Sequence, residues 1–453
     1  MIKALVFIIY FLKKFLEEKK YKLDEYSEAY IKEKYYLIEK ELDKNDKKSL
    51  EEIKKIINKI YFEEEDIEKI VEKIIKEYNI KLNDKKKVVY YLKRYFEFGK
   101  ISPLLKDKNI EDISCEGTNK PILIYHSKYG HLETNLSFNE EEIKDFVLKL
   151  SEKTGKLINI VKPILQAQYK NLRIEATLKS DISKDYSFTI RKFREKIMHP
   201  FHLIKNETID FVNLAYLWLA IEYKRNILIS GGTATGKTTL LNAITLFIKP
   251  EDKIVSIEDT PELRVAHKHF VQLIEREQKI TMYDLLKSAL RQRPDYIIVG
   301  EVRGKEANVL FQAMATGHSG LATIHANDVD ELKRRLTLKP IELPEETLNL
   351  IDLIVFQGYI MKNKILKRKT KKIYDYKSKN YFSVFLPLID SYEFNELALL
   401  ERISKDFGIN KKDLIDDLFK KINWLKKEYK NWLKEKYDYK TFQEKIFNYY
   451  KSQ

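Results

Sequence analysis

The sequence predicts an α/β protein: a mostly parallel sheet with helices on its faces in the second half, a smaller α/β region before it, and helical extensions at both ends. Three observations predict it. From residue 205 short apolar runs alternate with helix-periodic runs, the pattern of strands joined by crossover helices. Between about 90 and 200 the texture is mixed, with short strand-like stretches around one long helical run. Length adds the third: 453 residues, 44 % apolar, suffice for two to three domains with a sizeable core.

The first residues contain an apolar run, Ala4–Leu12, too short to span a bilayer and followed by Lys13-Lys14-Phe15-Leu16-Glu17 in place of a small-residue cleavage site. It reads as the start of a packed helix or as a segment that touches a membrane or a membrane-embedded partner. Residues 17–80 are charge-rich and helical in pattern. Ile53, Ile56, Ile57 and Ile60 make one apolar stripe, and Ile67, Ile70, Val71, Ile74, Ile75 and Tyr78 make another. The segment 1–88 is therefore expected to be a helical extension.

The smaller α/β domain is expected over 89–200. Ile122–Tyr125, Arg173–Leu178 and Ser187–Arg191 read as strands, and Glu140–Thr154 reads as a helix stopped by Gly155. His199-Pro200 marks a boundary, because a residue before proline avoids helical geometry. The main domain follows over 201–350. Its strands are Asn226–Ser230, Lys253–Ile257, Tyr296–Val299 and Leu321–His325; its helices are Lys237–Ile248, Thr281–Arg291, Lys305–Ala315 and Val329–Leu336. The remainder, 351–453, reads as a hairpin, Leu353–Tyr374, and a helical tail in which Leu414, Ile415, Leu418, Phe419 and Ile422 form a stripe.

Charge and cysteine usage bound the function classes. Lys and Arg number 84 against 69 Asp and Glu, a formal net charge of +15, with both signs interspersed. That excess reads as a solvated surface or as attraction to nucleic acid or anionic lipid. The lone Cys115 excludes an intrachain disulfide and any cysteine-based metal cluster, and fits a reducing cytoplasm.

The chemistry is carried by Gly231-Gly232-Thr233-Ala234-Thr235-Gly236-Lys237-Thr238, which matches the phosphate-loop pattern G-x4-G-K-[ST] between an apolar strand and a helical run. Glycine lets successive backbone N–H groups turn toward the phosphates, and the helix N-terminus adds positive potential. Lys237 should reach the β- and γ-phosphates of ATP, and Thr238 should ligate Mg²⁺. Two carboxylates stand where apolar strands end: Ile254–Ile257 runs into Glu258-Asp259, and Tyr296–Val299 runs into Gly300-Glu301. Carboxyl ends of strands are where a phosphate loop also lies. Glu258 is the expected metal ligand, and Glu301 the expected general base or water-positioning residue. His318 and His325 bracket Ser319–Ile324; either could read the γ-phosphate by hydrogen bond. Arg291, Arg293 and Arg303 crowd the Glu301 strand.

Four motifs in order, Gly231–Thr239, Ile254–Leu263, Ala289–Gly304 and Thr316–Asp328, resemble the Walker A, Asp-box, Walker B and His-box of the type II/IV secretion-system ATPases. The archaeal branch, with its archaellum-motor and pilus-assembly ATPases, is the nearest resemblance. Weaker similarity begins at Ile101–Leu105 and Asn109–Ile113. The resemblance implies a RecA-like P-loop core beneath an N-terminal domain, a homohexameric ring, and ATP hydrolysis that moves a polytopic membrane platform protein to assemble a filament. It implies a cytoplasmic protein, peripheral at the inner face of the cell membrane, and argues against nucleic acid as partner. It also implies that Thr239 belongs to the phosphate site and that arginines of the N-terminal domain, Arg173 and Arg191 here, reach the phosphates. The family's Pro/Gly turn before the Arg173 strand is replaced by Gln168-Tyr-Lys-Asn-Leu172. A RecA-like nucleic-acid translocase and a non-catalytic nucleotide-dependent scaffold are the alternative readings.

Overall fold

In the computed structural model the described residues are 19–57, 67–192, 197–276, 279–362 and 365–452. The expectations for Ala4–Leu12 and for Ile60 lie outside them. The chain divides into two compact units, Met1–Glu195 and Lys196–Gln453.

Among the described residues the first unit holds a nine-stranded sheet. Its strands are β1 (Lys19–Lys22), β2 (Ser27–Ile31), β3 (Tyr35–Glu39), β4 (Ile110–Cys115), β5 (Pro121–His126), β6 (Gly130–Ser137), β7 (Ile164–Tyr169), β8 (Leu172–Thr177) and β9 (Ser187–Lys192). They lie in the order β1-β2-β3-β6-β5-β4-β9-β8-β7. Strands β1 to β3 correct the expectation of a helical extension over 1–88: among the described residues the first helix is Lys44–Ile57. The reason is tertiary. Ser27, Ala29 and Ile31 turn inward on β2, and Tyr35 and Leu37 do so on β3, a period of two that is too short to stand out between charged turns. The Tyr21 and Tyr35 hydroxyls both donate to Asp107 Oδ2, at 2.6 and 2.9 Å, anchoring this meander on the body of the unit. Strand β3 meets β6 through one parallel pair, Tyr35 with Thr134. The Asn135 side chain extends that seam, accepting from Leu37 N at 2.8 Å and donating to Leu37 O at 3.1 Å.

Helix Glu140–Thr154 packs Ile143, Phe146, Val147 and Leu150 on the sheet. Its start is fixed by a reciprocal cap between Asn139 and Glu142, and its stop by Gly155 in the left-handed region at φ +63°. Helices Lys44–Ile57, Ile67–Glu77 and Lys85–Phe96 bury a separate small core of Ile53, Val71, Ile74, Val88 and Leu92.

The second unit is built on strands β10 (Ile227–Gly231), β11 (Ile254–Glu258), β12 (Phe270–Ile274), β13 (Tyr296–Val302), β14 (Ser319–Ile324), β15 (Leu353–Lys362), β16 (Ile365–Asp375), β17 (Asn380–Leu386) and β18 (Ser391–Phe394). The order is β12-β11-β13-β14-β10-β15-β16-β17-β18. Pairing is parallel from β12 to β15 and antiparallel from β15 to β18. Two strands, β14 and β13, thus separate β10 from β11, the RecA-like order. The central parallel strands β10, β11 and β14 are buried on both faces, as βαβ crossovers require. Ile227, Ile229, Ile254, Tyr296, Ile298 and Leu353 face one core, while Leu228, Val255, Ile297, Val299 and Ile354 face the other.

The hairpin and tail expected as a separate 351–453 region belong to this same unit. Strands β15 to β18 continue the sheet, and helices Ala398–Phe407, Lys411–Glu435 and Tyr439–Lys451 complete its first core. Lys421 is fully buried there, its Nζ 2.8 Å from Glu222 Oε2 and 2.6 Å from Asp417 Oδ1. Trp218 Nε1 donates to the Tyr450 hydroxyl at 2.7 Å, and that hydroxyl donates to Phe247 O at 2.8 Å. Among the described residues no helix is long and apolar enough to cross a membrane.

Candidate nucleotide site

The phosphate loop leaves the sheet where β10 ends. Gly231 sits at φ +151°, and a Cβ there would lie 2.3 Å from Gln357 O on β15, so the position admits only glycine. Gly236 takes φ +94° and opens helix Lys237–Thr245. Thr235 Oγ1 donates to Gly232 O at 2.9 Å and closes the loop on itself. Thr233 and Ala234 are exposed, and Thr238 and Thr239 are half-buried in the first helical turn.

Lys237 is buried, and its ammonium donates to the carbonyls of Gly231 and Gly232, each at 2.9 Å. Burial pushes its pKa down, and the Glu301 carboxylate opposes that shift. His325, just past β14, brings Nε2 to 3.3 Å from Lys237 Nζ and to 2.7 Å from Glu301 Oε1. Burial and the neighbouring Lys237 charge hold the His325 pKa below its ordinary value, so the ring is neutral near pH 7. Glu301 itself lies in a break of the β13–β14 register between Val299 and Val302; Thr323 Oγ1 donates to Gly300 O at 2.6 Å there. The break turns Glu301 out of the ladder. Its second oxygen pairs with Arg303, whose other terminal nitrogen donates to Asp259 Oδ2 at 3.1 Å.

The sheet thus brings Lys237, His325, Glu301, Arg303 and Asp259 into one continuous polar chain across the carboxyl ends of β10, β14, β13 and β11. A cleft of about 920 Å³ opens beside it, with Asp259, Glu301 and Arg303 in its wall together with Tyr283 and Glu306. The arrangement sets a cation, a neutral imidazole and a carboxylate in sequence at the mouth of a phosphate loop, the parts needed to hold a phosphoryl group and orient a water.

Two sequence expectations are corrected. His318 does not reach the loop. It precedes β14, where its Nδ1 lies 3.3 Å from Ala313 O and 3.2 Å from Thr316 Oγ1 in the turn after helix Glu306–Ala315. The strand between His318 and His325 separates them by roughly 20 Å at about 3.3 Å per residue. Glu258 is engaged elsewhere. Its Oε1 accepts from Glu262 N at 2.8 Å and Leu263 N at 2.7 Å, and its Oε2 accepts from Gln272 Nε2 at 2.7 Å. Burial pushes its pKa up to about 7 against those three donors. Glu258 therefore holds the loop after β11 instead of offering oxygens to a metal. Glu258→Ala is expected to lower stability by about 2–3 kcal/mol, since buried donors lose their acceptor. Urea melts check this, and an unchanged midpoint would return Glu258 to the site.

Mg²⁺ fits only as an ion carried largely by phosphates. Among the described residues no group of three or more His, Cys, Asp or Glu is placed to hold a metal. Mg²⁺ commonly keeps its waters and takes few protein ligands, and the Thr238 hydroxyl, in the first turn after Lys237, is the one this loop supplies.

Arg173 and Arg191 lie in the first unit, paired across β8 and β9. Arg191 Nε donates to Asp112 Oδ1 at 2.8 Å. The hairpin before Arg173 turns through Lys170 at φ +53°, so a non-glycine residue supplies the left-handed position. Sequence reasoning passed over Asp259 in favour of its neighbour Glu258, and it missed Tyr359 and Arg368. Arg368 Nε and the Tyr359 hydroxyl both donate to Ala234 O, at 2.8 and 2.7 Å. No local pattern signals them, because they reach the loop through hairpin register.

The fold and the site define a P-loop protein with a RecA-like sheet. The family model described as Type II/IV secretion system protein matches residues 164–356. An uncharacterized protein of Methanocaldococcus jannaschii is 45 % identical over 266 residues, spanning 55 % of this chain and 97 % of the relative. A second from the same organism is 40 % identical over 295 residues, 63 % of this chain and 53 % of the relative, so the chain spans about half of that longer protein. A probable conjugal transfer protein TrbB of Sinorhizobium fredii is 38 % identical over 192 residues, 40 % of this chain and 58 % of the relative. The chain belongs to the type II/IV secretion-system ATPase family.

Proposed function

We propose that this protein hydrolyses MgATP and is the motor of a type IV filament, an archaellum or pilus, or of a type II secretion apparatus. It acts as a homohexamer at the inner face of the cell membrane and drives a polytopic platform protein. The observation that carries the reading is the continuous chain Lys237–His325–Glu301–Arg303 at the mouth of the phosphate loop.

Lys237 and the loop N–H groups, with Thr238 and Thr239, hold the phosphates of ATP. Thr238 would help hold Mg²⁺ beside the phosphates, where the ion would supply charge neutralisation. Glu301 orients and deprotonates the attacking water; neutral His325 accepts or donates a hydrogen bond beside the γ-phosphate. Arg303 fixes the Glu301 carboxylate in place.

The test is purification of the tagged chain from its native membranes, with MgATP turnover of the eluate measured with and without DNA or RNA. A co-purifying polytopic membrane protein and turnover indifferent to nucleic acid are expected. Turnover that depends on nucleic acid would overturn the filament reading in favour of a translocase, and binding without turnover would make the chain a scaffold.

A further inference from the structure

The phosphate loop contains a residue in a conformation that its type does not favour. Ala234 sits at φ +59°, in the left-handed region. A side chain there is strained against the following carbonyl, and such conformations persist where surrounding contacts over-determine them. Here the contacts come from the β15–β16 hairpin. Gly231 pairs with Gln357, so β15 runs on past the end of β10 alongside the loop. Two residues further on, Tyr359 pairs with Arg368 across the hairpin. Both side chains donate to the single carbonyl of Ala234, the hydroxyl at 2.7 Å and Nε at 2.8 Å. The guanidinium lies 5.9 Å from the Tyr359 ring, and a Cβ on Gly236 would meet Arg368 Cδ at 3.5 Å. The base of the hairpin is itself held, with Gln357 Nε2 donating to Thr370 Oγ1 at 2.6 Å in a buried setting.

We propose that Arg368 and Tyr359 are positioning residues for phosphate binding, bracing the loop through the Ala234 carbonyl. In a trans peptide the C=O and the following N–H point in opposite directions. Drawing the Ala234 carbonyl toward the hairpin turns the Thr235 N–H the other way, where the loop gathers its amides into an anion-binding concavity. The brace sets that geometry before a ligand arrives, so binding does not have to order the loop. Neither side chain need touch the nucleotide. The inference rests on the reading of Gly231–Thr238 as a phosphate site.

The experiment is calorimetric titration of the full chain with MgADP and, separately, with inorganic pyrophosphate and Mg²⁺. Arg368→Ala is expected to weaken both ligands by about tenfold, and Tyr359→Phe by about threefold, the range of one lost hydrogen bond. Melting without ligand, within a few degrees of wild type, confirms that each variant is folded. The discriminating variant is Ala234→Gly, because glycine takes the left-handed conformation freely. In that background the further loss from Arg368→Ala should shrink to about threefold or less, a coupling that a double-mutant cycle reads directly. Pyrophosphate affinity unchanged in Arg368→Ala, with MgADP alone weakened, would overturn the proposal and assign Arg368 to base or ribose. A tenfold loss undiminished by Ala234→Gly would overturn the brace. Wild-type protein that binds neither ligand would overturn the phosphate-site reading and this inference with it.

Discussion

Glu301→Gln is expected to leave MgATP binding within a few-fold of wild type and to lower turnover by about a hundredfold or more, the scale of losing a general base. The substitution keeps the shape and one acceptor oxygen but removes the charge. Glu301 is mostly buried, with one oxygen 2.7 Å from His325 Nε2 and the other on Arg303. A neutral amide there weakens the pairing with Arg303 and gives the water no base. Steady-state turnover, measured beside ADP affinity, separates this from misfolding, which would lower both. Turnover within a few-fold of wild type would move the role to Asp259, the other carboxylate that Arg303 holds.

Lys237→Ala is expected to weaken MgATP by about a hundredfold or more, since charge-assisted bonds contribute about 1.5–3 kcal/mol each and every 1.4 kcal/mol is tenfold. The ammonium already donates to the Gly231 and Gly232 carbonyls, which shows how little it must move to meet a phosphate held by the same loop. Truncation also removes two bonds from the unliganded loop, so a stability loss of about 1–2 kcal/mol is expected beside the binding loss. Titration at saturating Mg²⁺, with a melt on the same sample, checks both. A folded variant with an unaltered turnover rate would remove Gly231–Thr238 from the mechanism.

Sequence legibility followed the range of the interactions. Helix Glu140–Thr154 was readable to the residue because its cap and its Gly155 stop are local. The central parallel strands were readable because burial on both faces leaves apolar runs such as Ile227–Ile229 and Tyr296–Val299, whereas the half-exposed edge strand β12 was not. Strands β2 and β3 were not, because inward residues on alternate positions of five-residue stretches carry less signal than the isoleucine stripes beside them. In the site, Lys237 was expected from the phosphate-loop pattern, and Glu301 and His325 from the rule that catalytic groups gather at strand carboxyl ends. That rule cannot choose between adjacent residues. Glu258 and Asp259 differ only in which way their side chains leave the strand end, and that is decided by the N–H groups of Glu262 and Leu263. His318 and His325 were both candidates for the phosphates because a motif has no length, whereas a strand does.

The helical tail has a practical consequence for any attempt to isolate a minimal catalytic fragment. Gln443 Nε2 donates to Leu246 O at 2.8 Å, and Tyr450 reaches Phe247 O at the same distance, both just beyond the helix that begins at Lys237. Clipping the chain after the hairpin strands would bare Trp218 and Phe247, which stack at 4.8 Å, and strip Glu222 of its 2.8 Å partner Lys421, leaving it the longer contact with Lys249 at 3.6 Å. A fragment cut by motif boundaries would thus be sticky and prone to precipitate. Inactivity in such a preparation would report on the cut and not on the chemistry.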